Sequence, residues 1–509
     1  MNRSNYRSRL GLCFIPTLIF FIIEAVLSFL PADEAVVSFN KHLSCLILLW
    51  AYVVAFVSGK GFFHPFILYL VSYTTFVYSR LIMDIMGLRA FDEGGIFGND
   101  FYFTVDVRHK MLLVVSFATL SLILGALCAF RKSSRSPIRT FQETGLPSVM
   151  RKAGLFLIAV SIIPFLTLKI KTMMTIVSNG YGDSMIEGGM YASGGLVDKI
   201  LGTSDNIFYT AVLLYLATYP RGKIYRCVLA VFLVGSILEL GTGARGPLIC
   251  NILILMAYLG CRGLTLSLKK ICLIASAVVF FLYFSFAFTS ARTDSIKNVD
   301  MDTGLTVPEV AEIFFWQQGV TLDVVIGEAI RSEEYLKDKG LYIFSPFHAL
   351  MFGSVVSEIL GIREYDLRVQ DSRKADKSWY LGAKIMSRIN ADAYYKGFGT
   401  GSSIVAESYC CGGLFGVIFW PFVYMYMFIL LWERHHKSPF AFFLLLSGLA
   451  LWFYTPRSDT FGFLISVFWA FILISIVRFV IRYLPKKTKP MSETTGYTEN
   501  NRINIIETR

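Results

Sequence analysis

Charged side chains are scarce in this sequence. Asp, Glu, Lys and Arg make up 17% of its 509 residues, whereas apolar residues make up 55% and the mean hydropathy is +0.58. Charged residues account for about 25% of a typical soluble domain, so this shortage excludes a water-soluble globular protein. The composition predicts a polytopic membrane protein instead, in which each span needs about 20 mainly apolar residues.

The sequence also lacks the patterns that mark several common kinds of site. Neither the phosphate-binding pattern GxxxxGK[ST] nor the zinc pattern HExxH occurs, so nucleotide-driven transport and zinc proteolysis have no support. The nine cysteines lie in or beside apolar segments, and residues 292–402 contain none, which argues against a disulfide framework and a cysteine metal site. Short acidic pairs such as Asp33 with Glu34 are common by chance. We therefore expect neither a metal ion nor another cofactor.

The net charge of +12 comes without a basic stripe or a nucleic-acid-binding motif, so nucleic acid is not an expected partner. Basic residues cluster instead in alternate short connections between apolar runs, as they do on the cytoplasmic side of membrane proteins. This alternation predicts that both termini are cytoplasmic. The predicted spans are 12–30, 43–59, 62–85, 111–130, 153–176, 200–218, 227–241, 245–260, 271–290, 403–432, 440–455 and 461–483.

These spans predict an all-α fold, a transmembrane helical bundle of about twelve spans with one large periplasmic loop. An N-terminal bundle of about nine spans covers 1–290, and the large loop covers 291–402 and carries short amphipathic helices. The C-terminal spans cover 403–484, and residues 485–509 form a cytoplasmic tail that we expect to be disordered. The pair 227–241 and 245–260 can alternatively form a single broken helix.

Four arginines are expected at the outer ends of spans: Arg80, Arg245, Arg292 and Arg457. An arginine inside a membrane costs about 2.5–3.5 kcal/mol on insertion scales, so each needs a reason. Its planar fork suits a phosphate, to which it gives two parallel charge-assisted hydrogen bonds. The alternative is that these side chains reach the lipid headgroups or pair with a nearby acid such as Asp294 or Asp459.

The segment "GTGARGPLI" (241–249) makes Arg245 the strongest of the four. Gly243 and Gly246 would let backbone N–H groups approach an anion at the start of the next helix. Glu407 is a further candidate, because an acid in the first turns of a span is costly unless it pairs or works. Its alternative is a buried carboxylate bonded to Arg457 or to a backbone group. His348 lies on an apolar helix, and this position fits a histidine whose hydrogen bonds are made within the protein better than it fits a catalytic base.

Three segments of this sequence resemble the Wzy-type O-antigen polymerases, the oligosaccharide repeat-unit polymerases of the bacterial inner membrane. They are "GTGARGPLI", "GLYIFSPFHAL" in the large loop and "GTGSSIVAESYCCGGLFGVIF" at the start of the next span. The related O-antigen ligases share this architecture but typically carry a histidine before the last glycine motif. In this sequence Ser402 and Ser403 stand at the position before the glycine motif where the ligases carry the histidine. The missing histidine favours a polymerase over a ligase.

The resemblance implies a metal-independent, inverting glycosyl transfer on the periplasmic face, between two undecaprenyl-diphosphate-linked glycans. It also implies membrane lipids, a chain-length regulator and a flippase of the same pathway as partners. In this reaction Glu407 would be the base, Arg245 and Arg292 would act on the diphosphate, and Arg80, Arg457, Gly243, Gly246, Ser402, Ser403 and His348 would bind diphosphate or glycan. The rival hypotheses are a flippase for lipid-linked oligosaccharides and another membrane glycosyltransferase that uses Asp33 and Glu34.

Overall fold

The computed structural model describes residues 3–59, 61–92, 94–96, 99–132, 146–179, 196–241, 245–263, 306–332, 341–367, 369–435 and 438–483. These residues form a bundle of long helices with shorter helices packed on one end. The long helices are α1 (Arg3–Leu27), α2 (Glu34–Val57), α3 (Pro65–Ile85), α4 (Val105–Lys132), α5 (Leu146–Asn179), α6 (Leu196–Leu216), α7 (Lys223–Gly241), α8 (Arg245–Cys261), α16 (Ile404–Trp432), α17 (Pro439–Tyr454) and α18 (Phe463–Tyr483).

Six helices within the described ranges are long and apolar enough to cross a membrane: Arg9–Leu27, Glu34–Val57, Pro65–Ile85, Val105–Lys132, Leu146–Thr175 and Ile404–Trp432. Shorter apolar helices, among them Pro439–Tyr454 and Phe463–Phe479, accompany them. This confirms the predicted helical bundle. The predicted span 43–59 starts earlier in the structure, because the Asp33 carboxylate accepts a hydrogen bond from Val36 N (2.7 Å) and begins α2 at Glu34.

The predicted pair 227–241 and 245–260 consists of two helices, α7 and α8, which pack against each other. The single broken helix is therefore not what the chain forms. The predicted span 271–290 lies outside the described residues. A small antiparallel hairpin, β1 (Gly94–Ile96) with β2 (Asn99–Phe101), is the exception to an all-helical architecture in the described ranges.

Helix α4 lies at the centre of the bundle and packs against α1, α2 and α16. Its side chains are almost entirely buried, which explains why it is apolar on all sides rather than amphipathic. A Cβ at Gly125 would collide with the backbone of Phe422 in α16, so this glycine permits the close approach of the two helices. Helix α1 lies at the edge, where Leu12, Ile15 and Ile22 are exposed as expected for side chains that face lipid.

The large loop contributes short helices, as predicted: α9 (Val307–Gln318), α10 (Glu328–Arg331), α11 (Ser345–Phe352), α12 (Val355–Ile359), α13 (Ser372–Lys377), α14 (Leu381–Ile389) and α15 (Ala391–Tyr395). A π-helical segment, Thr321–Gly327, joins α9 to α10 and is buried against α3, α4 and α16. Part of the loop is thus inserted into the bundle. It is this insertion that brings loop residues close to the ends of α3, α16 and α17.

Candidate functional site

The first turn of α16 and the connection between α17 and α18 (residues 455–462) lie side by side at one end of the bundle. Ile404 N donates to Thr455 O (3.1 Å), which joins the two segments through their backbones. Glu407 lies on the α16 side, and Arg457 and Asp459 lie on the other. Helices α11, α13 and α14 of the large loop pack around this junction. The structure therefore places Glu407 and Arg457 on two adjoining segments.

The carboxylate of Glu407 is fully buried and completely hydrogen-bonded. Ser402 Oγ donates to Oε1 (2.6 Å), and both the backbone N (2.9 Å) and Oγ1 (2.6 Å) of Thr460 donate to Oε2. These three hydrogen bonds offset part of the free-energy cost of removing the carboxylate from water. Glu407 therefore fixes the 455–462 connection onto α16, and its partner is a backbone group rather than Arg457.

Asp459, next to Thr460, is half-buried and lies beside Glu407 and Ser345. Burial raises the pKa of Asp459 to about 7, whereas the neighbouring Glu407 side chain and the positive charge of Lys374 oppose that rise. We call Glu407, Asp459, Lys374, Tyr365 and Tyr380 the carboxyl cluster, because the last three interact electrostatically with Asp459. Sequence reasoning named Asp459 only as a possible partner of Arg457 and missed this arrangement.

His348 is buried next to the carboxyl cluster. Its Nδ1 shares a hydrogen bond with the Tyr365 hydroxyl (2.9 Å), and its ring stacks on Trp379 at 4.3 Å between centroids. Burial lowers the pKa of His348 below its ordinary value, so the ring is neutral at pH 7. These contacts fit a histidine whose hydrogen bonds are made within the protein, which is what the sequence favours. They place His348 next to Tyr365.

Ser402 and Ser403 are both buried and engaged within the protein. Ser402 binds Glu407, and Ser403 caps α16 by accepting a hydrogen bond from Val405 N (3.2 Å). Gly401 before them has a φ of +78°, and a Cβ there would collide with the carbonyl of Arg457. This segment therefore needs a small residue with left-handed backbone. We assign both serines a structural role in place of the predicted glycan contacts.

Arg457 is half-buried and donates from Nη1 to the amide oxygen of Gln318 (2.8 Å) in α9. An amide accepts the hydrogen bond without neutralising the charge, so the guanidinium remains a source of positive potential beside the carboxyl cluster. Arg457 also lies 5.8 Å from the ring of Phe76. It is the arginine whose position fits the predicted contact with an anion best among those whose side chains are described.

Arg80 is almost completely buried and is held by the large loop. It forms an ion pair with Asp323, donates from Nε to Trp316 O (3.0 Å) and lies 4.2 Å from the Trp316 ring. The guanidinium is thus paired inside the protein with the carboxylate of Asp323. We therefore assign Arg80 to the docking of the loop rather than to the predicted contact with a diphosphate.

The segment 241–249 approaches the same end of the bundle. Gly246 packs against Tyr454, where a Cβ would lie 3.1 Å from the ring, and Tyr454 is three residues before Arg457. Arg245 begins α8, but its side chain, Gly243 and Arg292 lie outside the described residues. The letters "GTGARG" also fit the dinucleotide spacing GxGxxG, but that motif requires a preceding strand, and here helix α7 precedes it.

The rival acidic pair has a structural explanation. Asp33 caps α2, and Glu34 forms an ion pair with Arg108, which also lies 3.4 Å from Asp92. Asp33 therefore acts within α2, and Glu34 holds α2 against α4. A glycosyltransferase site built on Asp33 and Glu34 therefore gains no support.

A family model described as O-antigen polysaccharide polymerase Wzy matches residues 12–489. This chain belongs to the Wzy family of O-antigen polysaccharide polymerases. Neither a curated protein nor a solved structure matches it. Membership makes the chain a multi-pass membrane protein with a polysaccharide polymerase role, in a family that acts by glycosyl transfer on lipid-linked oligosaccharides. The resemblance of the three sequence segments to this family is thereby confirmed.

The glycines of "GGLFG" interrupt α16 of this Wzy polymerase instead of packing it against another helix. Gly412 and Gly413 are non-helical, with φ values of −169° and +58°, and nothing lies within 4 Å of where their Cβ atoms would be. A Cβ at Gly416 would collide with Ser408 O of the same helix. The break separates the short segment that carries Glu407 from the rest of the span, so Glu407 lies on a discontinuous helix.

A second group of buried charges in the Wzy polymerase escaped the sequence analysis. Lys169 of α5 lies 2.6 Å from Glu239 of α7 and 3.1 Å from Asp205 of α6, and Tyr209 donates to Glu239 (3.0 Å). All of them fall inside predicted spans, and a charged residue at that depth is itself a signal. These ion pairs tie α5, α6 and α7 together and thereby support the helix that leads into Arg245.

Proposed function

We propose that this polymerase joins undecaprenyl-diphosphate-linked repeat units by inverting glycosyl transfer on the periplasmic face of the bacterial inner membrane, without a metal ion. The observation that carries this proposal is the carboxyl cluster, which lies under the large loop in a chain that matches the Wzy family over residues 12–489. Membrane lipids surround the bundle. A flippase that supplies the repeat units and a chain-length regulator are its proposed partners.

In the proposed reaction, a hydroxyl of the acceptor glycan gives its proton to Asp459 and attacks the anomeric carbon of the donor. The bond from that carbon to the diphosphate breaks, and the diphosphate leaves with the electron pair. General base catalysis of this kind contributes about 10²- to 10⁴-fold to a rate. Asp459 suits the task because it is half-buried and its pKa lies near 7. Glu407 is fully buried, so we move it from the predicted role of base to that of positioning residue.

The leaving diphosphate needs positive charge that is already in place when the bond breaks. Arg457 and Lys374 supply it beside the carboxyl cluster, and we propose that Arg245 and Arg292 add to it. An arginine that binds an anion through two hydrogen bonds is worth about 1.5–3 kcal/mol. The contact of Gly246 with Tyr454 supports a position for Arg245 near Arg457.

The glycan pattern of cells without this chain tests the proposal. We expect the finished surface lipid to carry single repeat units, and we expect the wild-type chain to restore the ladder of longer glycans. A flippase deficiency would leave the lipid without repeat units. A ligase deficiency would leave polymer attached to undecaprenyl diphosphate, and either of these patterns would contradict the polymerase assignment.

Labelling of Ser372→Cys tests the sidedness of the site. Ser372 is exposed in the first turn of α13, so a cysteine there should react with a membrane-impermeant maleimide in intact spheroplasts. The native cysteines are replaced by serine beforehand, and the same cysteine-free protein with Ser372 unchanged is the control. Labelling that occurs only after lysis would put the carboxyl cluster on the cytoplasmic side and would contradict a periplasmic reaction.

A further inference from the structure

An apolar groove runs between α11 of the large loop and the transmembrane helices α17 and α18. Its volume is about 310 Å³, and its lining is entirely hydrophobic: Pro346, Phe347, Leu350, Leu444, Leu464, Ile465, Val467, Phe468 and Phe471. Five of these residues belong to α18, where they span about 10 Å of the helix at 1.5 Å per residue. The groove therefore follows α18 away from the carboxyl cluster.

One end of the groove lies at the carboxyl cluster. Ser345, which is buried beside Asp459, directly precedes the lining residues Pro346 and Phe347. On the other wall, α18 begins at Phe463, four residues after Asp459. The polar site and the apolar groove are therefore continuous through both walls. A ligand that uses both must have a polar head joined directly to a long apolar chain.

We propose that this groove holds the first part of the prenyl chain of the donor lipid. The inference rests on the proposed function, because it takes Asp459 as the proton acceptor. In the donor, the anomeric carbon that reacts is bonded to one end of the diphosphate, and the prenyl chain begins at the other end. The reacting carbon, the diphosphate and the start of the chain must therefore lie in sequence along one path. Asp459 adjoins the groove through Ser345 and through the start of α18, and Lys374 lies close enough to Asp459 to interact with it electrostatically.

The acceptor lipid does not fit this arrangement, since its reacting hydroxyl is separated from its own diphosphate by a whole repeat unit. The groove selects between donors by the amount of apolar chain that it buries. Each additional methylene that leaves water stabilises binding by about 0.8 kcal/mol, which is about a four-fold gain in affinity. We therefore expect the polymerase to prefer donors that carry a prenyl chain over donors that carry none.

Two substitutions fill the groove from opposite walls. Leu350→Trp adds bulk from α11, and Leu464→Trp adds it from α18, so that one remains informative if the other does not accumulate. Ile19→Trp is the matched control, because Ile19 is an exposed apolar residue on the edge helix α1. Glycan transfer is measured in membrane vesicles, with one acceptor and with synthetic donors that carry either an undecaprenyl chain or only a methyl group on the diphosphate.

We expect Leu350→Trp and Leu464→Trp to raise the KM for the undecaprenyl donor about ten-fold, with kcat and the KM for the methyl donor unchanged. Ile19→Trp should change neither. Equal losses with both donors, or a wild-type enzyme without a preference for the undecaprenyl donor, would overturn the groove proposal. If the wild-type enzyme transfers glycan from neither donor, the proposed function itself fails. The two failures are therefore distinguishable.

Discussion

Asp459→Asn should abolish polymerisation and leave single repeat units on the surface lipid. Asparagine keeps the size of Asp459 but cannot accept the proton of the acceptor hydroxyl, so the transfer rate should fall at least about 100-fold. Glu407→Gln is the matched variant, since its amide can still bind Ser402 and Thr460. We expect Glu407→Gln to reduce the rate only about ten-fold, because the 455–462 connection stays in place. Glycan ladders and membrane abundance are measured together.

The pH dependence of transfer separates a base from a structural carboxylate. Burial raises the pKa of Asp459 to about 7 from an unfolded value of about 3.9, so the carboxylate is the minor form below pH 7. The rate should rise with pH through 7 and then level off. The burial of Asp459 makes the folded protein less stable as the pH rises from about 4 to 7, because the folded state binds the proton of Asp459 more tightly than the unfolded state does. Glu407, Lys374, Tyr365 and Tyr380 are the titratable groups that face it.

Lys374→Met is a second test of whether Asp459 accepts the proton. The positive charge of Lys374 favours the Asp459 carboxylate, so its removal should move the rising limb of the pH profile to higher pH. A structural role for Lys374 would lower the rate at every pH without moving the limb. A normal ladder from Asp459→Asn at normal abundance would show that another group accepts the proton.

Arg80→Met should destabilise the protein more than other single substitutions outside the carboxyl cluster. It leaves Asp323 buried in the loop segment without its cation, and the loss of one partner of a buried ion pair costs about 3–5 kcal/mol. The contact with the Trp316 ring and the bond to its carbonyl are lost as well. We expect the melting temperature in detergent and the membrane abundance to fall sharply.

The double variant Arg80→Met with Asp323→Leu removes both charges, so it should recover most of the stability that the single variant loses. This variant also tests the original prediction that Arg80 contacts a diphosphate. If stability recovers while the glycan ladder stays short, Arg80 acts on the substrate after all. An Arg80→Met protein that melts like the wild type would contradict the docking role.

The amino-acid sequence by itself determined the class of fold and the family. Scarce charge and long apolar runs require a helical membrane bundle, since backbone N–H and C=O groups in lipid must be satisfied within each helix. Local sequence also sufficed to single out Glu407 and Arg457, because a charged residue in or beside an apolar span is conspicuous. The same reasoning applied to Lys169 and Glu239 would have revealed the second group of buried charges.

Only the tertiary structure decided what these charges contact. Asp459 stands in a polar connection where an acid is unremarkable, and its proximity to Glu407 arises from the packing of α16 against residues 455–462. Arg80 and Asp323 are 243 residues apart in the sequence and meet because the large loop inserts a π-helical segment into the bundle. The free energy of a buried charge depends on its neighbours within a few ångströms, and those neighbours are set by the packing of helices rather than by their order in the chain.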